Sequence, residues 1–256
     1  MIERGGGVVV VTGASRGLGA GLAAAFSARG IRLGLCARHR PAVPEGSDAV
    51  AAALDVTDAL AIDGFVHDVV ERFGAIDLWV NNAGVLPPIG PLREADPEEL
   101  RHHFEVNVLG VALGSAAYAR HVRGREGGGV LVNISSGAAT TVYVGWAPYC
   151  ASKAAVDMLT AVMANEERDA VLTAYALSPG AVDTDMQSLI RATPATVLPA
   201  ADRFRRLSAE GRFNSREWVA EFILGLLHPE PARRQTGQDD EVGSIRARVP
   251  DEHGSS

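Results

Sequence analysis

The chain has 256 residues, 47% of them apolar and 21% charged, the profile of a soluble globular protein whose length one α/β domain accommodates. A net charge of −7 argues against nucleic acid as a partner, because no basic face is implied. Two cysteines, Cys36 and Cys150, exclude a disulfide framework and point to a reducing, cytoplasmic setting. No CxxC or HExxH spacing occurs, and the apolar run Val8 to Val11 is too short to span a membrane, so neither a metal nor a membrane is expected.

GVVVVTG reads as a buried strand entering a turn, and residues 19–30 as a helix ending on a glycine cap. IRLGLCA (31–37) is a second strand and Ala49 to Leu54 a third, with the span Arg38 to Asp55 too short and proline-rich for a helix between them. A helix over 59–73 is followed by the strand IDLWVNNAG (76–84). One long helix over 98–122, a glycine turn at 127–129 and the strand VLVNISS come next. A helix over 148–165 then leads to the strand VLTAYALSPG, which breaks at Pro179. Residues 187–213 suggest a mobile lid, no apolar seventh strand is visible, and residues 238–256 read as a loose tail. Strands alternating with helices predict a single Rossmann-type, doubly wound and mostly parallel sheet covered on both faces.

A strand, a glycine-rich turn and a helix in that order suit a dinucleotide pyrophosphate, held by backbone N–H groups and the helix N-terminus. The spacing is Gly13-x-x-x-Gly17-x-Gly19 and not GxGxxG. NAD binders place an acid at the end of the second strand for the ribose 2′-hydroxyl. Here no Asp or Glu occurs between Glu3 and Glu45, whereas Arg16 lies in the glycine turn and Arg38 at the strand end. A 2′-phosphate, and so NADP(H), fits that pattern.

Of the 24 Lys and Arg residues only Lys153 is a lysine, and it stands one helical turn after Tyr149 on the same face. A free tyrosine titrates near pH 10. A cation about 4 Å away at an effective dielectric of 20 contributes roughly 4 kcal/mol, enough to lower the phenol by up to about three units, before desolvation opposes it, toward a working proton donor.

In order along the chain stand TGASRGLG (12–19), DVT (55–57), NNAG (81–84), NVLG (107–110), NISS (133–136), YCASK (149–153) and SPGAVDT (178–184). With these the sequence resembles the short-chain dehydrogenase/reductase family over nearly its whole length. The resemblance implies Tyr149 as catalytic acid/base, Lys153 as the group that tunes it and holds the cofactor ribose, and Ser136 as donor to the substrate oxygen. Ser135 is the competing assignment, and the thirteen-residue spacing to Tyr149 favours Ser136. Asn107 would hold a water that resupplies protons to Lys153. The glycine turn, with Gly13, Ser15, Arg16, Gly17, Leu18 and Gly19, would bind the cofactor phosphates. Arg38, Asp55, Val56, Asn81, Ala83 and Gly84 would line the adenosine side, and Pro179, Gly180, Val182 and Thr184 the nicotinamide.

These features together imply an NADP(H)-dependent oxidoreductase moving a hydride between nicotinamide and a carbonyl or secondary alcohol, a carbonyl reductase. Tyr143, Trp146, Met186 and Leu189 are candidates for an apolar substrate wall. A homodimer or homotetramer packed through the helices at 98–122 and 149–165 is expected. The alternative is a catalytically silent nucleotide-sensing or scaffold protein on the same fold.

Overall fold

The structure, a computed structural model, describes residues 6–227 and 245–254. Seven parallel strands form one sheet: β1 (Val8–Thr12), β2 (Arg32–Ala37), β3 (Ala49–Ala53), β4 (Leu78–Asn81), β5 (Gly129–Ile134), β6 (Leu172–Ser178) and β7 (Ile245–Arg248). Their order is β3-β2-β1-β4-β5-β6-β7, so the winding reverses between β1 and β4. In such a sheet the crevice for a ligand opens beyond the carboxyl ends of the strands at that reversal. All five residues of β1 are buried because helices cover both faces, which is why it reads as an unbroken apolar run.

On one face α1 (Gly17–Ser27) packs beside α8 (Arg216–Gly225), with Leu22, Phe26, Val219 and Ile223 in their shared core. The other face carries α2 (Ala59–Phe73), α3 (Pro97–Phe104), α4 (Gly110–Arg123) and α5 (Ala147–Glu166). Its core includes Phe65, Val69, Trp79 and Tyr118. Two short helices, α6 (Asp185–Ala192) and α7 (Ala201–Ala209), occupy the stretch expected to form a lid.

The sequence and the fold part company at three places. The single helix expected over 98–122 is broken into α3 and α4 by a π-helical turn, Glu105–Leu109, that contains Asn107. Such a turn is invisible to hydrophobic periodicity and is found often at functional sites. As expected, by contrast, no helix links β2 to β3, and residues 38–48 cross as a loop that their prolines favour. A seventh strand does form, disguised because arginines alternate with inward residues: Ala247 and the following Val249 are buried, while Arg246 reaches Asp157. Of the tail expected to be loose, residues 249–252 are strapped to α8. The Pro250 carbonyl accepts from Trp218 Nε1 at 2.9 Å, and Glu252 accepts from Ser215 Oγ at 3.0 Å. Residues 238–244 and 255–256 lie outside the described residues.

Gly34 in β2 shows how tightly the sheet and helix layers close, since a Cβ there would stand 2.8 Å from Val10 Cγ2 and 2.9 Å from Val69 Cγ2. Gly34→Ala should therefore destabilise the fold by about 1–3 kcal/mol through overpacking, read as a lower denaturant midpoint at unchanged slope.

Candidate active site

At the β1–β4 reversal the chain makes a cradle without side chains. Gly13 and Gly17 adopt positive φ, +66° and +58°, which favours glycine. A Cβ on Gly13 would stand 2.7 Å from Ala83 Cα, so the turn presses directly on the chain after β4. Asn82 secures that contact by donating from Nδ2 to the carbonyls of Thr12 at 2.9 Å and Gly13 at 3.2 Å. Thr12 Oγ1 in turn accepts from the backbone N–H groups of Asn82 and Ala83. The first turn of α1 has neither a side-chain cap nor an acid, which leaves its N–H groups free to meet an anion.

This cradle opens into one cavity of about 1340 Å³ that runs along the carboxyl edge of the sheet to Tyr149 and Trp146. Of the residues named from sequence, all but Gly19, Asn81 and Asn107 line it, the outlying Leu189 aside. Gly19 instead lets α1 approach the turn, since a Cβ there would strike the Gly13 carbonyl. Asn81 faces away from the cleft. It accepts from Trp79 Nε1 at 2.7 Å and donates to Asn133 Oδ1 at 2.8 Å in a buried polar network. Neighbours on a strand point to opposite faces, so of the two asparagines it is Asn82 that reaches the cleft.

The two arginines differ in setting. Arg38 lines the cavity near Asp55, whose carboxylate is held low chiefly by the Thr57 backbone N–H and further by the Arg38 charge. Arg16 spans the cleft mouth and pairs with Asp185 at 3.0 Å, both side chains largely exposed.

Two serines follow strand β5, and both line the cavity with different partners. Ser135 Oγ donates to the buried Asp157 of α5. Ser136 hydrogen-bonds the Tyr149 phenol and accepts from Ala138 N at 3.1 Å. Lys153 is buried, donates from Nζ to the Ile134 carbonyl at 2.8 Å, and lies 5.6 Å from the Tyr149 ring centre.

The electrostatics of this ligand-free pair correct the simple charge–charge expectation. Burial pushes the Tyr149 phenol up to about 12, opposed by the Ser136 hydrogen bond, and Lys153 is not among the groups that move it. Burial likewise pulls Lys153 down to about 8, opposed by Asp157. A desolvated ammonium that is itself half inclined to lose its proton does little for its neighbour. Asp157, in turn, is kept from rising further by Ser135 and by Arg246, whose Nε is 3.0 Å away. Neither Asp157 nor Arg246 was singled out from the sequence; one residue per helical turn after Lys153 was the available signal for the first.

Asn107 is wholly buried, and its amide is tied to the Val85 backbone, with Oδ1 accepting from Val85 N and Nδ2 donating to Val85 O, each at 2.8 Å. Its side chain is thus taken up by protein partners. The place of this residue in the π-helical turn, where the ordinary carbonyl ladder is interrupted, is what brings its backbone into consideration for a water.

Farther along the cavity Trp146 packs against Tyr143, Tyr149 and Phe204 with ring centres 5.1, 5.5 and 5.8 Å apart. Met186 joins this aromatic wall, whereas Leu189 is exposed and outside the cavity. Among the described residues no group of three or more His, Cys, Asp or Glu side chains could hold a metal ion, and no helix is long and apolar enough to cross a membrane.

Two outcomes follow for the free protein. Because Lys153 loses its proton near pH 8, kcat/KM should fall as the pH rises through about that value. Ser136→Ala should cost roughly 100-fold in kcat, as removal of a donor aimed at a reacting oxygen does, and Ser135→Ala much less.

Comparison with known proteins agrees with this geometry. The family model described as short chain dehydrogenase matches residues 7–195. Benzil reductase ((S)-benzoin forming) of Bacillus cereus is 30% identical over 235 residues, 87% of this chain and 94% of that protein. The Bacillus subtilis benzil reductase ((S)-benzoin forming) is 36% identical over a stretch covering 61% of this chain and 65% of that protein. A short-chain type dehydrogenase/reductase from Mycobacterium marinum superposes with a TM-score of 0.79 at 26% identity, covering 96% of this chain and 95% of that one. With a glycine cradle at the sheet reversal, a Ser136–Tyr149–Lys153 cluster beside it and a family match over most of its length, the chain belongs to the short-chain dehydrogenase/reductase family of oxidoreductases.

Proposed function

We propose that this protein is an NADP(H)-dependent carbonyl reductase whose substrates are aromatic ketones, vicinal diketones such as benzil among them. The observation that carries the reading is one continuous cavity joining the glycine cradle and two arginines to a Ser136–Tyr149–Lys153 cluster under an aromatic wall.

Bound nicotinamide would supply the hydride. The side-chain-free turn at Gly13 and Gly17 and the uncapped start of α1 would take the pyrophosphate. Ser15 and Leu18 would lie along it, with Asp55, Val56, Ala83 and Gly84 beside the adenosine and Pro179, Gly180, Val182 and Thr184 beside the nicotinamide. Arg38 and Arg16 would grip the 2′-phosphate, Arg16 by leaving Asp185. In the reducing direction Ser136 donates a hydrogen bond to the substrate carbonyl oxygen and Tyr149 delivers the proton to it. Lys153, held on the Ile134 carbonyl, is placed to restore the phenol's proton. Trp146, Tyr143, Phe204 and Met186 would receive the aryl groups and exclude water, with α6 and α7 as the cover.

A homodimer or homotetramer is supported by apolar side chains left exposed on α3, α5 and the π-helical turn, Phe104, Met158, Val162 and Leu109. A cytoplasmic setting is supported by the unpaired thiols of Cys36 and Cys150.

The test is kcat/KM for NADPH and NADH with benzil and a panel of other ketones and aldehydes. The wild type should prefer NADPH, and Arg16→Ala and Arg38→Ala should each lose roughly 10- to 100-fold with NADPH and little with NADH, the worth of a charge-assisted hydrogen bond. Asp185→Asn, which frees Arg16, should lower KM for NADPH. A wild type preferring NADH overturns the cofactor assignment, and one with no turnover on any of the panel favours a silent nucleotide-binding protein.

A further inference from the structure

His103, in α3, is completely buried and takes no part in the cavity or in the proton transfer described above. Its ring joins three segments of chain. Nδ1 lies 2.7 Å from the Pro87 carbonyl, in the segment that follows β4. Nε2 lies 2.9 Å from the Asn107 amide nitrogen and 3.1 Å from Ser152 Oγ of α5. The ring meets that of Tyr149 edge-on with centres 6.3 Å apart.

The contact with Asn107 selects the arrangement of protons. A carbonyl only accepts, so Nδ1 carries a hydrogen. The Val85 N–H and C=O fix which atom of the Asn107 amide is oxygen and which is nitrogen, so that side chain is not free to flip. The second Nδ2 hydrogen of Asn107 faces Nε2 at 2.9 Å, with Ser152 Oγ farther off at 3.4 Å, so Nε2 serves that amide as a bare acceptor. Ser152 Oγ bonds the Tyr149 carbonyl at 2.9 Å and lies 3.1 Å from Nε2, where it is able to accept from an N–H. The fixed Asn107 amide therefore selects the neutral, Nδ1–H ring, and a proton on Nε2 would pass the ring's bond to Ser152 and set its N–H against that of Asn107.

We propose that neutral His103 is a positioning residue for the reaction: it clamps Asn107 and the first turns of α5, and with them Tyr149, and its protonation opens the clamp. The proposal rests on the reading of Tyr149 as the proton donor. The titratable groups facing the imidazole are Tyr149 and Lys153 from α5 and His102 from its own helix. Burial, followed by the charges of Lys153 and His102, holds its pKa below the usual value against the carbonyls of Pro87 and Pro148. The unfolded chain thus takes up the proton first. Stability from this group is present above about pH 6.5 and is lost as the pH falls from there through the folded value. Buried Asp157, raised by its own desolvation, is a second group able to produce an acid limb, so a variant has to make the assignment.

The experiment is the pH dependence of kcat for the full chain with saturating NADPH and benzil. His103→Gln supplies an amide that can donate to Pro87, accept from Asn107 and not ionise, while His103→Leu supplies neither bond. The Leu variant should lose roughly tenfold or more in kcat, as misplaced catalytic groups do, with KM for NADPH little changed. The Gln variant should restore most of that loss at pH 8, and the wild-type acid limb should vanish from its profile. A Gln variant that keeps the acid limb, a wild type without one, or a folded Leu variant with wild-type kcat each overturns the proposal. If the Leu variant does not fold, the Gln profile decides alone. A wild type inactive on every carbonyl sinks the proposed function instead. The clamp is then judged from the ¹⁵N shifts of the His103 ring, where a protonated Nε2 with bare Nδ1 would refute it.

Discussion

The hydrogen bond from Lys153 Nζ to the Ile134 carbonyl ties the long helix α5 to the end of β5, and the rest of the site hangs from that tie. An ammonium taken out of water is costly unless it is paired, and here one carbonyl and the field of Asp157 are what oppose its desolvation. Once the lysine is seated, Tyr149 one turn earlier has to face Ser136, because the two share a helix face and the serine follows the adjoining strand. Ser135, one residue back, holds Asp157, one helical turn beyond Lys153 on the same helix face. The Ser136–Tyr149–Lys153 cluster is thus a consequence of two periodicities meeting, 3.6 along α5 and 2 along the chain leaving β5.

The same alternation organises the adjoining wall. Asn81 and Asn82 are chemically identical neighbours, yet one completes a buried network with Trp79, Ser115 and Asn133 while the other buttons the glycine turn to β4. The buried network fixes the relation of α4, β4 and β5, and a fully satisfied polar cluster specifies geometry that apolar packing alone would leave looser. The cleft-side button fixes the relation of β1 to β4 at the point where the winding reverses. Both are needed for the cavity to have a defined width.

Much of this was legible in the chain. The valines of β1, the glycine turn and the regular strand–helix spacing carry the fold, since a doubly buried parallel strand announces itself by continuous apolar residues. Less could be read where one face of an element is polar for tertiary reasons. Strand β7 hides behind Arg246 and Arg248, the first of which serves Asp157, a partner 89 positions away in sequence. The π-helical turn at Glu105–Leu109 changes backbone pairing without changing composition, so a continuous helix was the reading that periodicity permits. His103, one of two adjacent histidines, gave no signal either: only the folded chain brings Pro87, Asn107 and Ser152 to its ring. For Lys153 and Tyr149 the sequence sets only an upper bound on their coupling; how far desolvation opposes it depends on the burial both groups share in the fold.

The solitary lysine can now be understood beside its many arginines. A guanidinium keeps its charge at any pH a protein meets, and its planar fork suits permanent roles: the Arg16–Asp185 pair across the cleft mouth, Arg38 beside Asp55, Arg246 opposing the desolvation of Asp157. In the proposed proton transfer permanence at position 153 would be a defect. The group there lies between the Tyr149 ring and the Ile134 carbonyl, and that proposal would have it give up and regain a proton within the working range. Burial brings Lys153 to about 8, where it can do so, whereas no comparable desolvation would discharge an arginine. A chain that otherwise uses arginine for every cation keeps lysine at the one place where the proposed proton transfer would need an adjustable charge.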